Sequence, residues 1–170
     1  MGLLLCRRRF LDTKLVTRLE KILRGKIIRI TAFGKGEYPS LWLEGTQMLS
    51  VAEVLKEDPL LQIDRLENLS AVEMQEGIVL SHFVYSSVTQ VRLVLRTAFL
   101  PVSETDLVQA PSLVRVWSMV QTFEDEIGEL FGVAFDGQVP QFNLLPEQVR
   151  GLFPMRKSFV FQMPEAQFYE

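Results

Sequence analysis

The sequence predicts an α+β fold: a mainly antiparallel sheet with packed helices and an extended C-terminal arm. Three observations predict it. β-Branched, alternating runs recur along the chain. Helical patterns are inserted between them without regular strand–helix alternation. Two of the strongest strand runs follow one another across a short polar turn. The 170 residues amount to about one domain. At 48% hydrophobic and 23% charged residues, the composition is that of an ordinary globular protein, long enough to bury a real core.

The elements follow in order. Asp12 is placed to cap a first helix that Gly25 ends, with Leu15, Leu19, Ile22 and Leu23 on one face. KIIRITAF reads as a strand. Gly34, Gly36 and Pro39 turn the chain, and LWLEG returns as the partner strand of a hairpin. QMLSVAEVLKEDP sets Met48, Leu49, Ala52 and Leu55 at helical spacing, and Pro59 closes that helix. LQIDRLENLSAVEM is mixed and reads as a short strand or turn, then another strand. Residues 78–85 and 91–99 read as an antiparallel hairpin across Ser86, Ser87 and Thr89. Residues 101–110 read as a polar loop. Pro111 and Ser112 open a helix whose apolar stripe is Leu113, Val116, Trp117, Val120 and Ile127. Gly128 weakens its end, and Gly132 is a left-handed terminator. Residues 140–170 show no helical or strand period, which is the mark of a tail docked onto something. The expected division is a domain over 1–139 and a docking arm over 140–170.

Composition excludes several functions. A net charge of −3 offers no basic field to nucleic acid. With Cys6 and His82 as the single cysteine and histidine, this chain cannot build a disulfide, a zinc site or an iron–sulfur site alone. In MGLLLCRRRF the arginines follow the apolar run, the reverse of a signal peptide. That run, like every later one, falls short of the about 20 residues that span a bilayer. The opening reads as a short strand or arm, and the expectation is a cytoplasmic chain that reaches a membrane only through an assembly.

Candidate chemistry centres on FEDEIGELFGVAFDG at 123–137, with five acids, two inner phenylalanines and three glycines in fifteen residues. Glu126 and Glu129 share a helix face, as do Asp125 and Glu129. A carboxylate pair suits general acid–base work or a hard cation, and a stand-alone hydrolase built on Glu126 and Glu129 is the alternative function. Against it, the stretch holds no histidine, cysteine or lysine to complete a site. Acids near a helix C-terminus oppose its dipole by tenths of a kcal/mol to about one, so compensating cations, such as an arginine from this chain or a neighbour, are expected. FGKGEYPS precedes a strand and suits a hairpin turn better than a phosphate loop, and neither GxGxxG nor GxSxG occurs. His82 lies inside a strand run and reads as a packed residue. RGLFPMRKSF sets Leu152, Phe153 and Met155 beside Arg156 and Lys157, the composition of a protein-binding arm.

These blocks resemble the 30-kilodalton subunit family of respiratory complex I, the NADH–quinone oxidoreductase C subunit. Its signature runs roughly W-x-E-R-E-x-x-D-x-F-G-I-x-F-x-G-H-P. Glu124, Glu126, Phe131, Gly132, Phe135 and Gly137 match it in register, and Glu129 stands for its aspartate. A second family block, G-H-P-L-R-K-D-[FY], is similar to Gly151, Pro154, Arg156 and Lys157 with Phe159. PSLVRVW, LKEDPLLQIDRLENLSAVE and VRLVLRTAFL resemble upstream family segments, so the likeness runs in order over residues 45–160. Thr122, Asp125, Gln138 and Phe153 replace the family's tryptophan, arginine and two histidines. The same domain type occurs in energy-converting, membrane-bound [NiFe] hydrogenases. The resemblance implies a scaffold subunit with no cofactor and no catalytic residue. Its partners would be the large catalytic subunit and other peripheral-arm subunits, on the inner face of the cell membrane, with the matched residues at the interface.

Overall fold

The computed structural model describes residues 13–31, 38–75, 77–100, 106–139 and 143–160. Helix α1 (Thr13–Ile22) buries Leu19 and, one residue past its end, Leu23, and Gly25 follows at positive φ. Asp12, Gly34 and Gly36 lie outside the described residues. Strands β1 (Ile27–Thr31) and β2 (Ser40–Leu43) pair antiparallel as the sequence suggests. Helix α2 (Met48–Glu57) buries Met48, Ala52 and Leu55 and also Val51, while Leu49 is half-buried beside them. Asp58 leaves the helix in an extended conformation ahead of Pro59. Its carboxylate accepts the N–H groups of Leu60 at 3.0 Å and Leu61 at 3.1 Å and pairs with Arg18 of α1. One buried acid therefore ties the first helix to the turn after the second.

The mixed segment resolves into that turn and a single ten-residue strand, β3 (Arg65–Met74), with a register shift between Leu66 and Asn68. Strands β4 (Gly77–Tyr85) and β5 (Arg92–Phe99) form the expected hairpin, in register from Ile78↔Phe99 to Tyr85↔Arg92. The five strands lie in the order β1-β2-β5-β4-β3, antiparallel except for β2 and β5. That parallel neighbour follows from the route: the chain leaves β2 through α2, builds the β3–β4–β5 meander, and returns β5 to the open side of β2. One sheet face carries Leu41, Leu43, Leu69, Ile78, Leu80, Leu93 and Leu95 into a single core with the helix residues. Each fully buried leucine or isoleucine contributes about 1.5–3 kcal/mol. His82 is buried on β4, where burial holds its imidazole down to about 4 and neutral at pH 7.

The second half departs more from expectation. The stretch read as a polar loop contains β6 (Val108–Ala110), and β7 (Val133–Phe135) follows α3 (Val120–Phe131). The two short strands pair parallel, with α3 between them in sequence. Three residues are too few for a period of two to show in sequence. The helix begins at Val120, not at Pro111: the preceding segment makes only a local turn on the Leu113 carbonyl, and several of its groups bond elsewhere in the fold. Leu113 N–H goes to the Glu124 carboxylate, the Val116 carbonyl accepts from Lys56 Nζ, and Trp117 Nε1–H reaches the Ile63 carbonyl at 3.1 Å. Leu113, Val116 and Trp117 are buried all the same. Their apolar spacing reported burial and not helix.

Replacing Asp58 by alanine removes the acceptor for two N–H groups and leaves Arg18 unmatched. The expected loss is about 2–3 kcal/mol, seen as a lower urea midpoint with an unchanged slope.

Candidate functional site

Two of the four acids of α3, Glu124 and Glu129, are used on this chain's own backbone. Glu124 is buried, 1% exposed. It accepts the Ser112 hydroxyl at 2.7 Å and Leu113 N–H at 2.8 Å, pinning the loop that leads into its own helix. Burial pushes its carboxyl up to about 7, against the pull of those two donors, with neighbouring Asp125 adding to the rise. Asp125 is buried one position on and accepts from Gln121 Nε2 at 2.9 Å. Glu126 faces solvent. Glu129 is half-buried and reaches the later segment, where one of its oxygens accepts Leu144 N–H at 2.7 Å and Leu145 N–H at 2.8 Å.

The helix ends at Gly132, which has φ +69° and ψ +46° and donates its N–H to the Gly128 carbonyl at 3.0 Å. Above it sits Arg156, 5% exposed. Its Nε–H donates to the Phe131 carbonyl at 2.7 Å, and one Nη reaches the carbonyls of Asp106 at 2.7 Å and Gly132 at 3.2 Å. These acceptors include the orphan carbonyls that a helix C-terminus leaves, and a cation there complements the dipole. An arginine of this chain thus stands at the helix end, where three of the oxygens it meets are main-chain carbonyls. Phe153 stacks on its guanidinium at 4.6 Å from a backbone of positive φ. A Cβ on Gly132 would lie 2.7 Å from Arg156 Nη2 and 2.8 Å from the Phe153 ring, so the helix end, the arginine and the ring fit only around glycine.

The two family blocks therefore meet in space. Met155 N–H donates to the Leu130 carbonyl at 3.1 Å, and Lys157 N–H donates to the Glu73 carboxylate on β3. Phe131 and Phe135 are buried on either side of Gly132 and β7 begins directly after it. Pro154 is half-buried, while Gly137, Gly151 and Lys157 are exposed at the rim. Glu73, Ser112 and the Asp106 carbonyl belong to the same assembly and escaped sequence reading, because nothing in a lone β3 glutamate or a loop serine announces a contact formed across the fold. Among the described residues no group of three histidines, cysteines or acids is placed to hold a metal.

The family model described as "Respiratory-chain NADH dehydrogenase, 30 Kd subunit" matches residues 41–165. The chain belongs to that family. It is 33% identical over 158 residues to the NADH-quinone oxidoreductase C subunit of Cupriavidus taiwanensis, covering 88% of this chain and 76% of the relative. It is 30% identical over 155 residues to that of Burkholderia cenocepacia, covering 85% and 74%. Among solved structures, the fold is shared with a chain of the membrane-bound sulfane sulfur reductase, an archaeal respiratory membrane complex. That match has a TM-score of 0.68 at 20% identity, covering 87% of this chain and 85% of the other. The clasped helix end lies inside the region that the family model matches.

Two outcomes are expected. Gly132→Ala forces a side chain into the left-handed region, a cost of about 1–2 kcal/mol, and displaces Arg156 and Phe153. Limited proteolysis should then cut within residues 143–160 of the variant well before the native chain. Glu124 binds a proton more tightly folded than unfolded, where its ordinary value is 4.5. The stability it contributes is therefore full below about 4.5 and lost as pH rises to about 7. Measured against Glu124→Gln, native stability should fall over that window by up to roughly 3 kcal/mol.

Proposed function

We propose that this chain is a non-catalytic scaffold subunit in the peripheral arm of a complex I-like NAD(P)H/quinone oxidoreductase or a related energy-converting hydrogenase. In this reading residues 140–170 form the arm that holds the large catalytic subunit. The family supports a subunit's role, since the relatives are themselves named as C subunits of NADH-quinone oxidoreductase.

One observation carries the docking role. Along the described part of the arm one polar side chain, Arg156, is buried, while several apolar side chains stand out in solvent. Arg156, Glu129 and Glu73 fasten its backbone or its carbonyl partners to the domain. Leu144, Leu152, Met155 and Val160 stand out at 50%, 54%, 56% and 76% exposure. Exposed apolar side chains rimmed by polar residues mark an interaction surface. A pre-fastened backbone also lowers the ordering cost of binding. Arg150 and Lys157, both exposed, flank the apolar anchors and would set register against an acidic rim. A hydrolytic site fares worse, because Glu129 is engaged with backbone donors while Glu126 stands in solvent. No helix of the described residues is long and apolar enough to cross a membrane, so contact with one would run through the assembly.

The test is co-purification. Leu152→Asp combined with Met155→Asp changes exposed positions and should leave the thermal midpoint within a few degrees. Retention of the large subunit should drop at least tenfold. Undiminished retention by the folded double variant would overturn the docking role of the arm.

A further inference from the structure

On the sheet face away from the core, two cross-strand rows of arginine and aromatic side chains run side by side. In the first, Arg65 of β3, Tyr85 of β4 and Arg92 of β5 are directly paired in register. Arg92 stacks on Tyr85 at 4.3 Å, and its charge is met by Glu67 at 3.1 Å. In the second, Arg29 of β1, Trp42 of β2 and Arg96 of β5 form a row across three strands. Arg29 lies 4.5 Å and Arg96 5.8 Å from the Trp42 ring. Among the described residues no carboxylate lies within ion-pairing distance of either arginine. Arg96 is half-buried and its Nε finds no acceptor. Two like charges thus share one indole, uncompensated, in a chain whose net charge is −3.

The surroundings describe the missing partner. β1 is the outermost strand, so its outer edge has no strand neighbour among the described residues. A register shift between Ile27 and Arg29 pushes Ile28 out to 63% exposure beside Arg29. Next to it a cleft of about 250 Å³ lies between the end of α1 and β1, lined by Leu23, Arg24, Ile27, Ile28 and Ile30 with Glu20 and Gly25. An extended backbone fits the open edge, apolar side chains fit Ile28 and the cleft, and carboxylates fit the guanidinium row. We infer that the β1 edge with the Arg29–Trp42–Arg96 row docks an extended, acidic segment of a partner protein bearing apolar residues. This surface lies at the opposite end of the sheet from Glu73 and the arm, four strand spacings or about 19 Å away, so it stands whether or not the arm holds the large subunit.

Contact with the Trp42 ring restricts the Arg29 guanidinium before binding, which lowers the ordering cost and favours carboxylates presented by a chain over diffuse anionic surfaces. The test uses the full chain carrying Trp117→Phe, so that Trp42 is the single indole. The probe is an eight-residue synthetic peptide of alternating glutamate and phenylalanine. Binding should change Trp42 emission, weaken at least tenfold in Arg29→Gln, and weaken with added salt. The same peptide with glutamine for glutamate should not bind. Because Arg29 is exposed, its substitution leaves the fold intact, which circular dichroism checks; restored binding in Arg29→Lys would show that charge is what matters. Equal affinity of the native and Arg29→Gln chains overturns the inference. So does absence of peptide binding, or arginine-dependent binding to phosphatidylglycerol vesicles in its place.

Discussion

The buried guanidinium of Arg156 organises the second half of this molecule. An α-helix that stops inside a fold leaves carbonyls that must be met, and here the helix stops against a strand pair only three residues long. Backbone pairing alone cannot hold so small a unit. A charged, five-donor side chain joins the ends of three segments, the Asp106 carbonyl before β6 and the Phe131 and Gly132 carbonyls at the end of α3 being bonded from the segment beyond β7. The left-handed glycine gives it room, and the Phe153 ring covers it. Glu124 does the matching work at the other end, holding the entry loop to the helix interior. The unit is braced by a cation at one end and a carboxyl at the other, with the apolar side chains of α3 facing β3 between them.

The first half depends on ordinary burial. Five strands present leucine and isoleucine on one face, and α1 and α2 contribute to the same core. Special backbone is confined to its turns, where Gly25, Gln62, Gly77 and Gln90 take positive φ, and the strand lengths follow from alternation. The other face is mixed, with Val79 and Val94 among arginine, serine and aromatic side chains.

The legibility of the sequence divides along the same line. Both hairpins, both early helices and the α+β class could be read, because runs of five to ten residues carry a period. Gly132 could be read as a terminator because glycine after an apolar helix has a local cause. The start of α3 could not, since Leu113, Val116 and Trp117 keep helical spacing while the Leu113 N–H, the Val116 carbonyl and the Trp117 indole bond to Glu124, Lys56 and Ile63. The acid cluster was legible as four carboxylates but not as four different environments. Residues one position apart, Asp125 and Glu126, end up buried and exposed. The link between the two family blocks was equally hidden, since Arg156 and Gly132 are 24 positions apart and their contact is tertiary.

That separation also sets an order of events. A chain made from its N-terminus completes α3 before Arg156 has left the ribosome. Until then the Phe131 carbonyl lacks the Arg156 donor, and the Gly132 carbonyl has the Val108 N–H alone. Closing a loop of this length costs only a modest logarithmic entropy, repaid at once by several charge-assisted bonds. The late segment is therefore a clasp. It finishes the domain in the same step that displays its apolar side chains, so an unfinished chain lacks both the brace and the surface.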